Sequence, residues 1–147
     1  MELIVQNFFN LEIMQQAFPL LLRGLGMTSL LCLAVIPLGL LGGLAVALIA
    51  RTQIRILRYA VIAFIDFFRA VPPLVLLIFI YSGLPFGGIQ LSPFLAVCLG
   101  FLLYNSAYYA EIYRAGIESI GAGQSEAARS SGLNPIQTMT HVILPQA

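Results

Sequence analysis

The sequence predicts an all-α membrane protein, with three transmembrane helices followed by a short helical element on the cytoplasmic side. Three observations carry that prediction. Of the 147 residues, 60% are hydrophobic and only 9% charged, against about 25% charged in an ordinary soluble domain. Long apolar runs recur; the first, residues 24–50, holds 27 residues without a charge, where roughly 20 suffice to cross the hydrocarbon of a bilayer. The last run leads directly into EAARSSGLNPIQTMTHVILP at 126–145, a partly polar stretch with two helix starts and one firm stop.

Residues 1–23 are expected to form an interfacial, periplasmic segment. Phe8, Phe9, Leu11, Ile13, Met14, Ala17 and Phe18 suggest the apolar stripe of a helix lying at the membrane surface. Glu2 and Glu12 stand where a cleaved signal peptide would be cationic. The first span, about 24–50, carries Gly39, Gly43 and Ala47 at four-residue spacing. Such a strip of small residues lets a neighbouring helix approach closely. Pro37 lies mid-span, where it removes one backbone donor and can bend the helix.

The second span, about 59–82, is the least regular. Asp66 and Arg69 are three apart and share a helix face, so a structural ion pair between them is expected, because an isolated charge is expensive in hydrocarbon. Pro72-Pro73 should bend the segment. An uncharged loop, GLPFGGIQLSP at 83–93, leads to the third span at about 94–116. Glu111 and Arg114 repeat the three-residue spacing near its end. One to two turns earlier, Asn105, Ser106, Tyr108 and Tyr109 either line a polar translocation path or bond between helices, since polar groups at membrane depth face protein or a cavity.

Arginine placement sets the orientation. The first connection holds Arg51, Arg55 and Arg58, the second none, and the tail has Arg114 and Arg129. The first connection and the tail are therefore expected in the cytoplasm, with the N-terminus and the 83–93 loop outside. Arg23 borders the first span on the outer side and runs against this pattern.

Composition also excludes. All seven basic residues are Arg and the net charge is +1, which gives no basic field for nucleic acid. Cys32 and Cys98 sit in apolar runs without metal-ligand spacing and read as small buried hydrophobes; His141 is the only histidine. No metal and no cofactor are expected. There is no phosphate-binding loop and no lysine to complete one, so the chain is not expected to hydrolyse ATP or to be an enzyme.

The tail is the most informative stretch. Ser125 can cap a helix whose first turn holds Glu126, favoured there by the helix dipole. Glu126 and Arg129 are three apart. Ala127 and Ala128 are small and strongly helix-forming. Gly132 supplies a left-handed stop, Asn134 and Pro135 start a second helix, and Ile136, Met139, Val142 and Ile143 form an apolar stripe on it. Two short polar helices beside a membrane span suit docking of another protein better than catalysis.

The spacing is Glu-Ala-Ala (126–128), three residues, Gly132, nine residues, Val142, one residue, then Leu144-Pro145. This resembles the cytoplasmic coupling loop of membrane permeases in ATP-binding-cassette importers. Residues 24–48, 67–85 and 107–133 extend the resemblance to the permease subunit of polar amino-acid importers. Arg69 and Pro72 nearly complete an Arg-x-x-Pro-Leu element, with a second Pro before Leu74. Gly123-Gln124 ahead of Glu126 favours the amino-acid branch.

The resemblance implies a partial type I ABC importer permease fold, residues 24–147 forming the permease domain with its coupling loop at 119–145, in the bacterial inner membrane. It implies ATPase coupling through Gly123, Gln124, Glu126, Ala127, Ala128, Arg129 and Gly132. The implied partners are a cytoplasmic ABC ATPase subunit, a second permease subunit, an extracytoplasmic substrate-binding protein and the lipid bilayer. Members of the family continue past Leu-Pro-Gln-Ala with further spans, so the chain is expected to be either a fragment or a shortened, non-transporting product. A proton-coupled secondary carrier using Asp66 or Glu111 is the alternative from another class.

Overall fold

A computed structural model describes residues 10–147; the expectations for Glu2, Phe8 and Phe9 lie outside the described residues. Helix α1 spans Leu11–Ala50. Asn10 starts it, its Oδ1 accepting from the Glu12 and Ile13 amides at 3.1 and 3.2 Å, which satisfies donors that every helix start leaves open. The helix continues through Pro19 and Pro37. The expected surface segment and first span are thus one helix of 40 residues. Nothing between Leu22 and Gly26 stops it: a glycine breaks a helix when it takes the left-handed conformation, and neither Gly24 nor Gly26 does. At about 1.5 Å per residue it is about 60 Å long, twice the roughly 30 Å of bilayer hydrocarbon.

The second segment is two pieces, not one. Helix α2, Arg55–Ala70, and helix α3, Pro73–Ile78, which runs on through a π-turn at Phe79–Gly83 and a 3₁₀ turn at Leu84–Gly87, meet at 103°. Val71 is extended at φ −87°, ψ 127°, the region into which a following proline forces its predecessor. The bend expected at Pro72-Pro73 is therefore close to a right angle. Two helices are long and apolar enough to cross a membrane, and the bent pair makes three when counted as one span. Helix α4, Pro93–Ser119, is the second of the two long apolar helices; Ser92 Oγ accepts from the Leu95 amide at 3.3 Å and Pro93 opens the helix.

Helices α1 and α4 form the centre of the packing. The small strip of α1 does what its spacing suggested: Val35, Gly39, Gly43 and Ala47 are its buried positions. A methyl group added to Gly39 would stand 3.0 Å from Asn105 Cβ and 3.2 Å from Tyr109 Cε2. Around Ala47, Ile65 and Ala110, Val61 and Phe64 of α2 close one apolar cluster. Leu76, Ile80 and Ala96 centre a second, which joins α3 to the start of α4. Outside these contacts large apolar side chains point outward, as at Leu33 and Leu41 of α1. Cys32 is likewise exposed and Cys98 half-buried, not buried as expected. In a membrane protein apolar residues cover the outer face as well as the interior, so apolar surroundings in sequence do not mark a core position.

Candidate functional site

The tail folds into two short helices after the C-terminal end of α4, with Ala147 lying back against Gly116. Helix α5 is Ala122–Ser130, starting from Gly121 without a side-chain cap. Ser125 and Glu126 therefore lie inside the helix, about one turn past its start. The expected cap at Ser125 is not made, because α4 ends at Ser119 and two residues, Ile120 and Gly121, are enough to turn the chain. Glu126 and Arg129 are exposed and do not pair with each other. Ala128 is buried, so Ala127, Glu126 and Arg129 form the outward surface.

The stop at Gly132 is a complete left-handed closure, with φ +87°. The Leu133 amide donates to the Ala128 carbonyl at 3.1 Å and the Gly132 amide to the Arg129 carbonyl at 3.0 Å, the paired bonds of a Schellman motif. Asn134 then opens helix α6, Pro135–Thr138, with a reciprocal cap: its Oδ1 accepts from the Gln137 amide at 2.9 Å, and Gln137 Oε1 accepts from the Asn134 amide at 3.0 Å. A π-turn at Met139–Ile143 follows. Its extra residue rotates the expected stripe: Ile143 and Thr138 are buried, Met139 and Val142 half-buried, and Ile136 is 76% exposed. Gly123 and Gln124 are exposed on the first turns of α5.

Between this element and the helix ends lies a cleft of about 640 Å³, lined by Arg51, Glu118, Ser125, Arg129, Thr138 and Met139 among others. The Thr138 hydroxyl is buried there without a hydrogen-bond partner among the described residues.

Of the two expected ion pairs, Glu111–Arg114 forms and Asp66–Arg69 does not. Arg69 does not pair with Asp66; its Nη1 lies 3.7 Å from Glu111 Oε2 on α4, and its guanidinium stands 5.7 Å from the Tyr108 ring centre. Asp66 is exposed and makes no ion pair among the described residues. The physical reason is competition: Glu111 and the Tyr108 face are both reached by one Arg69 rotamer, and half-buried Glu111 is less hydrated than exposed Asp66. Arg114 donates to Glu111 through Nε at 3.1 Å and again through Nη2, and its Nη1 donates to Glu118 Oε2 at 2.5 Å. A ladder Arg69–Glu111–Arg114–Glu118 results. Glu118 was missed in the sequence, although its four-residue spacing from Arg114 was the signal.

The four polar residues of α4 separate. Asn105, Ser106 and Tyr109 face the glycine strip of α1, where Ser106 is 6% exposed and its Oγ sits over Gly42. Tyr108 points the other way, stacked on Tyr104 at 4.5 Å between ring centres and beside Arg69. Tyr104 was not singled out in the sequence; an aromatic four residues before another on a helix was the available sign.

Residues 36–147 match the family described as binding-protein-dependent transport system inner membrane component. The chain is 40% identical over 142 residues to the probable amino-acid ABC transporter permease protein YckA of Bacillus subtilis (strain 168), covering 97% of this chain and 63% of that protein. It is 35% identical over 145 residues to the glutamine transport system permease protein GlnP of Escherichia coli (strain K12), covering 95% and 64%. A crystal structure of an amino acid ABC transporter with histidines superposes with a TM-score of 0.84 at 37% identity, over 93% of this chain and 64% of that one. The chain thus spans less than two thirds of the length of these relatives, and its fold is a partial type I permease fold. With an apolar helix bundle, a Glu-Ala-Ala element on a short helix pair and a family match over most of its length, the chain belongs to the binding-protein-dependent transport system inner membrane components.

Proposed function

We propose that the chain serves in the membrane subunit of an ATP-driven amino-acid importer. A separate cytoplasmic ATPase grips α5, a second permease subunit completes the pathway, and an extracytoplasmic binding protein delivers substrate. The observation that carries this reading is the helix pair at 122–143: it is closed at Gly132, capped at Asn134, and presents Glu126, Ala127 and Arg129 outward. A compact, doubly fixed element moves as a body and can pass a push from a motor to α4. The printed names of the relatives, which include amino-acid and glutamine permeases, support amino acids as the substrate class.

In this reading the inner membrane holds the chain with the 51–58 connection and α5 in the cytoplasm and the 83–93 loop outside. The ATPase's nucleotide state shifts the balance between inward- and outward-open arrangements. Among Asn105, Ser106, Tyr108 and Tyr109, Tyr108 is the residue proposed to face the path, because the other three pack on α1. The test is Glu126→Lys, which reverses the charge on the docking face. The expected result is normal membrane insertion with loss of the co-purifying ATPase. A variant that keeps its ATPase and transports normally removes the assignment.

A further inference from the structure

We infer that Arg69 is a two-position clasp between α2 and α4, bound to Glu111 in the arrangement seen here and to Asp66 in a second one. The inference rests on the transporter reading above. Arg69 is the penultimate residue of α2, immediately before the 103° break at Val71-Pro72. It holds Glu111 across the helix boundary at 3.7 Å with its guanidinium beside Tyr108. Asp66 lies one helical turn before Arg69 on the same helix, exposed and without an ion-pair partner among the described residues. Residues three apart on a helix are neighbours, so a rotamer change is sufficient to carry the guanidinium from one carboxylate to the other.

What makes the exchange affordable is the rest of the ladder. When Arg69 leaves, Glu111 keeps Arg114, which bonds it through two nitrogens. Arg114 in turn keeps Glu118. Glu111 is therefore paired in both arrangements; the carboxylate left without a partner in the first is Asp66, which is exposed, whereas an unpaired ion is costly where it is buried. In the first arrangement α2 is tied to α4 at the bend. In the second the polar tie is cut and apolar packing, as at Ile65 against Ala110, is what holds α2 to α4, so the end of α2 can shift about the two prolines. Glu118, at the far end of the ladder, lines the cleft against Ser125 and Arg129 of α5, so a shift of α5 by the motor bears on the same row of charges. Coupling claims need an element with two discrete arrangements, and the Arg69 partner exchange supplies one.

The experiment uses the assembled transporter with its ATPase, spin labels at Phe67→Cys and Ile112→Cys (both exposed) and Cys32 and Cys98 replaced by Ser. The expected distance distribution has two populations whose balance changes between nucleotide-free and ATP-bound states. Asp66→Asn should hold the shorter population in both states, keep the co-purifying ATPase and lower ATP-driven uptake of a radiolabelled amino-acid mixture by about tenfold. Glu111→Gln should hold the longer one; if that variant fails to insert, Arg69→Gln serves the same purpose. A single distance in both nucleotide states, or an Asp66→Asn variant with unchanged uptake, overturns the clasp. Absence of any co-purifying ATPase from the unsubstituted chain overturns the transporter reading instead.

Discussion

Gly43 of α1 lies directly against Tyr109 of α4: a β-carbon there would overlap Tyr109 Cβ and stand 3.0 Å from the Ala110 amide nitrogen. The neighbour is backbone, so it cannot rotate away. The α1–α4 contact is therefore set by the missing side chain.

Gly43→Ala should push the two helices apart at a cost on the order of 1–3 kcal/mol, the range for overpacking a tight interface. Gly26→Ala, with open space around it and a helical backbone, should stabilise by up to about 1 kcal/mol. Thermal unfolding in detergent is the check; equal melting points for the two variants would contradict the packing described.

The proposed orientation predicts which loops reagents reach. A cysteine at Ile89, in the uncharged loop, should label with an impermeant maleimide added outside intact cells, and one at Gln124 only after the membrane is opened. The reverse pattern would invert the topology, since arginine counts are a bias and not a rule.

Gly132→Ala should loosen the end of α5. A left-handed conformation costs a residue with a β-carbon about 1–2 kcal/mol, and Gly132 has φ +87°. Faster hydrogen exchange at 128–133, with weaker ATPase binding, is the expected outcome. Unchanged exchange would mean that the closure does not stiffen the helix pair.

Thr138→Val should stabilise the helix pair by about 1 kcal/mol, because it removes a buried hydroxyl that has no partner among the described residues and keeps its shape. Unfolding measured on the assembled transporter reads this directly. A loss of stability there would reveal a partner supplied by the rest of the assembly.

Local signals foretold the architecture wherever the chain decides its own shape. The apolar runs located α1 and α4, Pro72-Pro73 located the bend, and Gly132 and Asn134-Pro135 located the turn of the docking pair. Each of these is fixed by the residue itself or its immediate neighbours. What went unread depends on more distant residues. The start of α5 moved ahead of Ser125 because α4 ends where it does, not because of any capping residue. The preference of Arg69 for Glu111 over Asp66 requires knowing that α2 and α4 touch, which no local spacing encodes. The outward Ile136 follows from the π-turn at Met139–Ile143, whose extra residue breaks the three-to-four repeat on which a stripe is read. Cys32 was misplaced for a different reason: in lipid, the outside of a helix bundle is as apolar as its inside.

Consecutive prolines at the corner of the second segment leave a debt that oil cannot settle. Neither Pro72 nor Pro73 has an N–H, so the carbonyls of Phe68 and Arg69 lose the donors that a continuing helix would have offered, and hydrocarbon supplies none. Hydration, or donor groups from another polypeptide, must reach that corner. Bare lipid is thereby excluded as the surroundings of that corner, whichever source supplies the donors.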